Sequence, residues 1–488
     1  MKTLKNLMII LLIAASCGLQ AQTRYLDEVF TNVDVMTNMV YGWNWSVLKT
    51  SDDTTGTQMG PVKLYVDSLV ADVYLPNGDT ATDRPVILLS HAGSFLPSTF
   101  TGLPLGTKSD SCLIEMCTRF AKMGYVAISF DYRLGWNPLA SDQEARAKGI
   151  IVAVYKAMQD AKALIRFVKA NYTQAGIDTN KIILGGSNSG AYVALIANVL
   201  DKPSEITNPK FLDSLGNSFI DTTLWGNFDG FGGSLNNGNN TPGVSSDFQL
   251  VLSLGGDTGD TSWTDGGENP IIALHGVSDP GSPYETAVVI VAATGQPVIE
   301  VSGPGDFIPT NDALGNQDAL KGGNFCDGPA STDGNVYEGN YPFYGAGFEP
   351  WGWYNASTPL NPNASKTRAF AYIDTIISYF APRAYRLLID NSYSDPCNTG
   401  IDDLKVNDVN VELFPNPSST DVTVNVNDAT QSITSVELYN VAGKLVRSEA
   451  VKNVTRYTIS RKGLDSGAYF VSIRFADGSQ TYKRVIFE

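Results

Sequence analysis

Between residues 22 and 390, short apolar runs alternate with stretches of helical periodicity. Val62 to Tyr74 alternate apolar and polar positions, as a strand or hairpin does when one face is covered. Pro85-Val-Ile-Leu-Leu-Ser90 and Tyr125 to Phe130 are almost wholly apolar, the pattern of strands in a parallel sheet covered on both faces. Leu113, Met116, Cys117 and Phe120 recur at helix spacing, and Gly124 closes that helix. Residues 142–172 form a long amphipathic stretch. Ile182 to Leu184 predict another buried strand, Gly185 to Gly190 a tight turn, and Ala191 to Leu200 a helix. Phe248 to Leu254 and Pro270 to Leu274 predict further strands, and Tyr372 to Phe380 a last helix. The alternation predicts an α/β fold with a mostly parallel, doubly wound sheet.

Other segments break this rhythm. Residues 22–50 predict a short N-terminal arm, and the Gly-, Asn- and Ser-rich residues 201–248 a surface excursion. Residues 287–365 are rich in Gly, Pro and aromatics. Residues 391–408 predict a linker carrying Pro396, Asn398, Gly400 and Asp402. From 409 to 488 the period changes to two: Val422 to Val426, Val436 to Tyr439, Tyr469 to Phe475 and Tyr482 to Phe487 predict strands, with Asp477-Gly478 as a hairpin turn. A small β-sandwich therefore follows the α/β domain. At the other end, Lys2 and Lys5, the apolar Leu7 to Ala15 and the Leu19-Gln20-Ala21 site predict a signal peptide over 1–21. The domain plan is a signal peptide at 1–21, an α/β domain at 22–390, a linker at 391–408 and a β-sandwich at 409–488.

Charge narrows the partners. The 488 residues carry a formal net charge of −16, which disfavours nucleic acid and anionic membrane surfaces. The apolar run of the signal is too short to span a bilayer, and nothing else predicts a transmembrane segment in the mature chain. Beyond the signal stand Cys112, Cys117, Cys326 and Cys397. Cys112 and Cys117 share a predicted helix at an offset poorly suited to a disulfide, which favours Cys326 with Cys397. Spacing and residue types give no metal pattern and imply no cofactor.

The chemistry gathers at the glycine-flanked turn. Strand, tight turn and helix form the setting of a nucleophile elbow, in which the reactive residue lies midway between two small residues. Gly186 and Gly190 put that centre at Asn188. An amide cannot be activated for attack as a serine can. Ser187 becomes an alternative nucleophile if the frame shifts by one.

Several segments, in order and spacing, resemble the α/β-hydrolase superfamily in its carboxylesterase-like branch: Asp72 to Asp79, Pro85 to Gly93, Gly124 to Arg133, Gln159 to Arg166, Gly176 to Gly186 and His275 to Asp279. The resemblance spans roughly residues 24–385. It implies a serine nucleophile, an acid and a histidine in that chain order. Asp279 takes the acid position. His91-Ala92-Gly93-Ser94 resembles the family's oxyanion loop, with Ser189 beside it. The nucleophile position holds Asn188, and the late histidine position holds Phe348. Of two histidines in the chain, His91 and His275, neither follows the acid. His275 as a stand-in base is weighed against a structural histidine and Asp279 as acid against a loop cap, and Trp351, Trp353 and Tyr354 as a binding platform against core packing.

The last 80 or so residues resemble the sorting domain of the type IX secretion system, through Leu413-Phe-Pro-Asn-Pro417, Val436 to Val446, Gly463 to Ile473 and Lys483 to Phe487. This implies export through the periplasm of a Gram-negative bacterium to the medium or cell surface, with the type IX machinery as partner. The leading expectation is a secreted or surface-displayed carboxylesterase-like homologue with a degenerate triad, binding an ester, acyl or glycan-like ligand without efficient turnover. Two alternatives stand beside it: an active secreted ester hydrolase using Ser187 and an unassigned base, and a surface interaction scaffold.

Overall fold

Alternate side chains of the apolar strands enter opposite cores. Val86 and Leu88 of Arg84–Ser90 join one buried cluster, Ile87 and Leu89 the other, and all four are fully buried. This two-sided burial explains the unbroken apolar runs. The computed structural model describes residues 22–47, 57–59, 62–236, 241–291, 294–325, 337–353, 361, 364–395, 411–426, 431–440, 444–476 and 480–487. The predicted signal segment, Cys326, Cys397, Tyr354, the Asp477-Gly478 turn and most of the predicted linker lie outside them. The chain divides into two units, Met1–Cys397 and Asn398–Glu488.

In the first unit the strands are β1 (Val33–Ser46), β2 (Thr57–Met59), β3 (Val62–Pro76), β4 (Arg84–Ser90), β5 (Val126–Phe130), β6 (Ile177–Ser187), β7 (Leu250–Leu254), β8 (Ile271–Gly276), β9 (Ala287–Ile290), β10 (Pro297–Val301) and β11 (Asn340–Phe343). The main sheet runs β1-β3-β5-β4-β6-β7-β8-β11, with β2 paired to β3. Pairings are antiparallel as far as β3–β5 and parallel from β5 to β11. The long helices are α1 (Ser111–Met123), α2 (Gln143–Ala170), α3 (Ser189–Val199), α4 (Pro304–Ala313) and α5 (Lys366–Leu388). Residues of α2 and α3 pack into one core cluster, those of α1 and α5 into the other.

Local chemistry sets the helix ends. Asp142 caps α2 by accepting from the N–H groups of Glu144 and Ala145. Gly124 ends α1 at φ 107°, which a side chain would resist. Cys112 and Cys117, on buried turns of α1, are free thiols.

Four expectations change. The N-terminal arm contains β1, a 14-residue edge strand. Register breaks between Met36 and Met39 and between Val40 and Gly42 interrupt the two-residue period that would have announced it. The predicted surface excursion buries Phe211, Phe219 and Ile220 against the main core. The last helix is longer than Tyr372 to Phe380: Ser365 caps it, and it runs on through Pro382. The opaque region 287–365 supplies the two-stranded β9–β10 sheet, α4 and the final parallel strand β11.

The second unit holds two antiparallel sheets, β12 (Val411–Phe414), β13 (Val422–Val426) and β16 (Arg456–Ile459) in one, β14 (Ile433–Asn440), β15 (Leu445–Val454), β17 (Gly467–Phe475) and β18 (Gln480–Phe487) in the other. Val422, Val424, Val471, Ile473 and Val485 form their common core, consistent with a β-sandwich.

Candidate active site

The turn from β6 into α3 is fixed by contact. A Cβ on Gly186 would lie 2.4 Å from Ser90 Oγ, and one on Gly190 2.2 Å from the Ser90 carbonyl oxygen. Neither position admits a side chain, so the turn keeps its centre at residue 188. Asn188 there has φ 48° and ψ −114°, a strained conformation for a residue with a side chain. Its backbone N–H donates to the Leu254 carbonyl at 2.7 Å. Asparagine often caps a helix through its side chain, but here it makes no such bond to α3. Among the described residues the amide has no hydrogen-bond partner, and Asn188 is 7% exposed.

Ser187 has other commitments. Its hydroxyl donates to Glu349 Oε1 at 2.6 Å and accepts from Trp351 Nε1 at 2.8 Å. Ser187 and Trp351 are wholly buried. Trp351 is thus core, and Trp353 is half-buried against Phe370 at 5.3 Å.

The loop after β4 follows the same logic as the elbow. Gly93 adopts φ 112°, and a Cβ there would lie 2.8 Å from Gly106 Cα. Ala92 is not among the positive-φ residues, so its methyl group fits. His91 is buried and stacks on Tyr132 with centroids 4.3 Å apart; its Nδ1 lies 2.5 Å from the Ala92 carbonyl. Burial pushes the His91 imidazole below its usual pKa, against the charge of Asp131. The Ser94 N–H donates to Ser189 Oγ at 3.1 Å. The Tyr132 hydroxyl lies 3.1 Å from the same oxygen and donates to the His91 carbonyl at 2.8 Å.

Asp279 follows β8. Its Oδ1 accepts from the N–H groups of Gly281 and Ser282 at 2.8 and 3.1 Å. Burial, with the charge of Glu349 adding to it, pushes its carboxyl up to about 7, against those two hydrogen bonds. A Cβ built on Gly281 would be 3.6 Å from both Asp279 Oδ1 and Phe348 Cδ2, so acid and phenyl ring flank one residue. His275 is buried and donates through Nε2 to the Ser282 carbonyl at 2.7 Å, with burial lowering its pKa to about 4.

Asn188, Ser189, Ser94, Gly281 and Phe348 meet at one end of a cavity of about 390 Å³. Neither Ser187 nor Glu349 lines it. Its body is apolar, walled by Ile151 and Val154 of α2, Ile196 of α3 and Val298 and Val301 of β10. No charged residue lines it. Tyr192 also lines it, with its hydroxyl bonded to the carboxyl of Asp257 and 3.0 Å from Ser282 Oγ. Burial, then the hydrogen bonds of Tyr192 and Ser282 working against it, leaves the Asp257 carboxyl well above its usual pKa. The β10 wall and Glu349 were not read from the sequence. The run Ala287-Val-Val-Ile-Val291, the Thr294-Gly295 turn and Pro297-Val-Ile-Glu-Val301 would have signalled the hairpin. Among the described residues, no group of three or more His, Cys, Asp and Glu could hold a metal ion.

The strand order and the tight turn from β6 into α3 are those of an α/β-hydrolase fold. Residues 71–222 match the family described as BD-FAE, and residues 412–488 match the secretion system C-terminal sorting domain. Similar solved structures include esterase 2 of the planctomycete Thermogutta terrifontis. Its apo form is 16% identical over 68% of this chain and 92% of that one, with a TM-score of 0.37; its butyrate-bound form has the same identity and coverage and a TM-score of 0.38. No curated protein matches the chain. The chain joins an esterase-like α/β-hydrolase domain to a type IX secretion sorting domain, and is a secreted or cell-surface protein of a Gram-negative bacterium. Among the described residues no helix is long and apolar enough to cross a membrane.

Proposed function

We propose that the first unit is an esterase-derived binding domain with a degenerate triad, taking an ester or acyl ligand without efficient turnover. The observation that carries this reading is Asn188 at φ 48° on the tip of the turn. The backbone is bent as a nucleophile requires, and the side chain is an amide. Phe348 beside Asp279 leaves the acid no imidazole to orient, and the acid's oxygen is used by its own loop. The apolar cavity favours an acyl or aryl group over a glycan. The sorting domain makes the type IX machinery the export partner.

One observation favours an active enzyme instead: Glu349 Oε1 stands 2.6 Å from Ser187 Oγ, within reach for a base. Against it, that hydroxyl is buried, bonded also to Trp351 and outside the cavity wall. The test is hydrolysis of nitrophenyl butyrate by the mature protein, by Ser187→Ala and by Asn188→Ser with Phe348→His. A silent wild type and an active double variant support the binding reading. Wild-type turnover abolished by Ser187→Ala overturns it.

A further inference from the structure

The strongest observation that the proposed function leaves unused is the mismatch between the cavity and its end. The body is apolar and uncharged, yet its lining includes the amide of Asn188, a largely buried residue whose side chain makes no cap bond to its helix and has no hydrogen-bond partner among the described residues. An amide that faces an apolar cavity and is bonded to no protein group among the described residues can pair with a carbonyl carried in by a ligand. Behind the lining near Asn188 stand three carboxyl groups. Asp279 stands behind Gly281, Glu349 is bonded to Ser187 next to Asn188, and Asp257 is bonded to Tyr192. No lysine or arginine lines the cavity. The N-terminus of α3 favours the partial negative charge of a carbonyl oxygen, whereas a full carboxylate charge would be walled by hydrocarbon with no cation in the lining to pair with it.

We propose that the cavity takes an uncharged molecule, an apolar chain headed by an ester or amide carbonyl that pairs with Asn188, and rejects the corresponding free carboxylate. This rests on the binding reading above and sharpens it: the domain holds an intact ester or amide and discriminates against its hydrolysis product. The mouth fits such a ligand. Phe100, Leu139 and Ile290 line the cavity and are also exposed, at 53%, 60% and 42%, so the apolar surface continues outward from the interior. Chains too long for the cavity would remain in contact with that rim.

The test is displacement of the neutral fluorescent probe N-phenyl-1-naphthylamine from the mature protein at neutral pH. Methyl octanoate and octanamide should displace it at least tenfold more effectively than octanoate. Asn188→Ala should weaken binding of the ester and amide about fivefold more than it changes probe binding, the loss of one hydrogen bond, with probe affinity measured separately on each variant. Ile290→Asp, at the exposed rim, should weaken the probe and all three competitors. Circular dichroism confirms that each variant is folded. Equal displacement by octanoate, indifference of ester binding to Asn188→Ala, or no probe uptake by folded protein would overturn the proposal. Release of methanol during the assay would sink the non-turnover reading instead, and the ranking by charge would still be read from initial displacement.

Discussion

The backbone N–H of Ser94 and the hydroxyl of Ser189 are hydrogen-bonded to each other at 3.1 Å. If the loop is the oxyanion loop of the binding reading, a serine oxygen takes the acceptor place of a bound ester's carbonyl oxygen. The Tyr132 hydroxyl, 3.1 Å from the same atom, helps hold it there. The loop donor is engaged before any ligand arrives. An active Asn188→Ser, Phe348→His variant would then still work with this donor engaged. In the Asn188→Ser, Phe348→His background, adding Ser189→Ala should raise kcat roughly tenfold or more with little change in KM, since one oxyanion donor is worth on the order of 10²–10³ in rate. Steady-state kinetics on nitrophenyl butyrate measures it. No gain in kcat would mean that the Ser94 N–H plays no part.

Strain at the elbow predicts a stabilising substitution. Asn188 holds φ 48° without a compensating cap, and glycine reaches that conformation freely. Asn188→Gly should raise stability by about 1 kcal/mol, read as a higher denaturant midpoint with an unchanged slope. A lower midpoint would show that the amide has a stabilising partner.

The glycine frame predicts the opposite. Gly190→Ala would drive a methyl group to 2.2 Å from the Ser90 carbonyl, backbone against backbone. The expected cost exceeds about 3 kcal/mol, visible as insoluble or unfolded protein.

The Asp279 carboxyl predicts a pH dependence. Its folded-state value of about 7 lies above the ordinary 3.8 because burial and then Glu349 disfavour its charge. A raised acid contributes stability that is complete below pH 4 and lost as pH rises through 7. Asp279→Asn keeps an acceptor for Gly281 and Ser282 but cannot ionise. Relative to wild type, this variant should gain stability between pH 4 and pH 7, by about 2 kcal/mol given that Asp279 is half-buried. Denaturation at a series of pH values checks it; a constant difference would place the carboxyl's pKa near its ordinary value.

Ser187 predicts a coupling. Ser187→Ala removes the hydroxyl that joins Glu349 to Trp351, leaving the buried indole N–H without that acceptor, at about 1–3 kcal/mol. Trp351→Phe removes the same indole N–H. The double variant should cost less than the two single costs added. Strict additivity would refute the shared network.

What could be read from the chain depended on range. β4, β5 and β6 are apolar throughout because both faces are covered, and that needs no knowledge of partners. The spacing of Gly186 and Gly190 carries the turn because each glycine meets backbone. β1 escaped because two bulges scramble its period. The cavity wall escaped because β9 and β10 lie in a stretch where glycines and prolines mask a short hairpin. The Ser187–Glu349 bond spans 162 positions, and no local pattern announces a contact made only after the sheet has assembled. The Phe348 ring lies beside Gly281 in the loop of Asp279, a contact between segments far apart in the chain that neither segment signals alone.

Gly186, Gly190 and Ser90 hold the elbow by main-chain contact, with no help from the side chain at its tip. A protease or chaperone that inspects the nascent protein for exposed chain meets the same molecule whether residue 188 is asparagine or serine. An exchange at residue 188 therefore leaves the frame of the turn in place and changes stability only through the strain of that single residue, so export would filter such exchanges weakly.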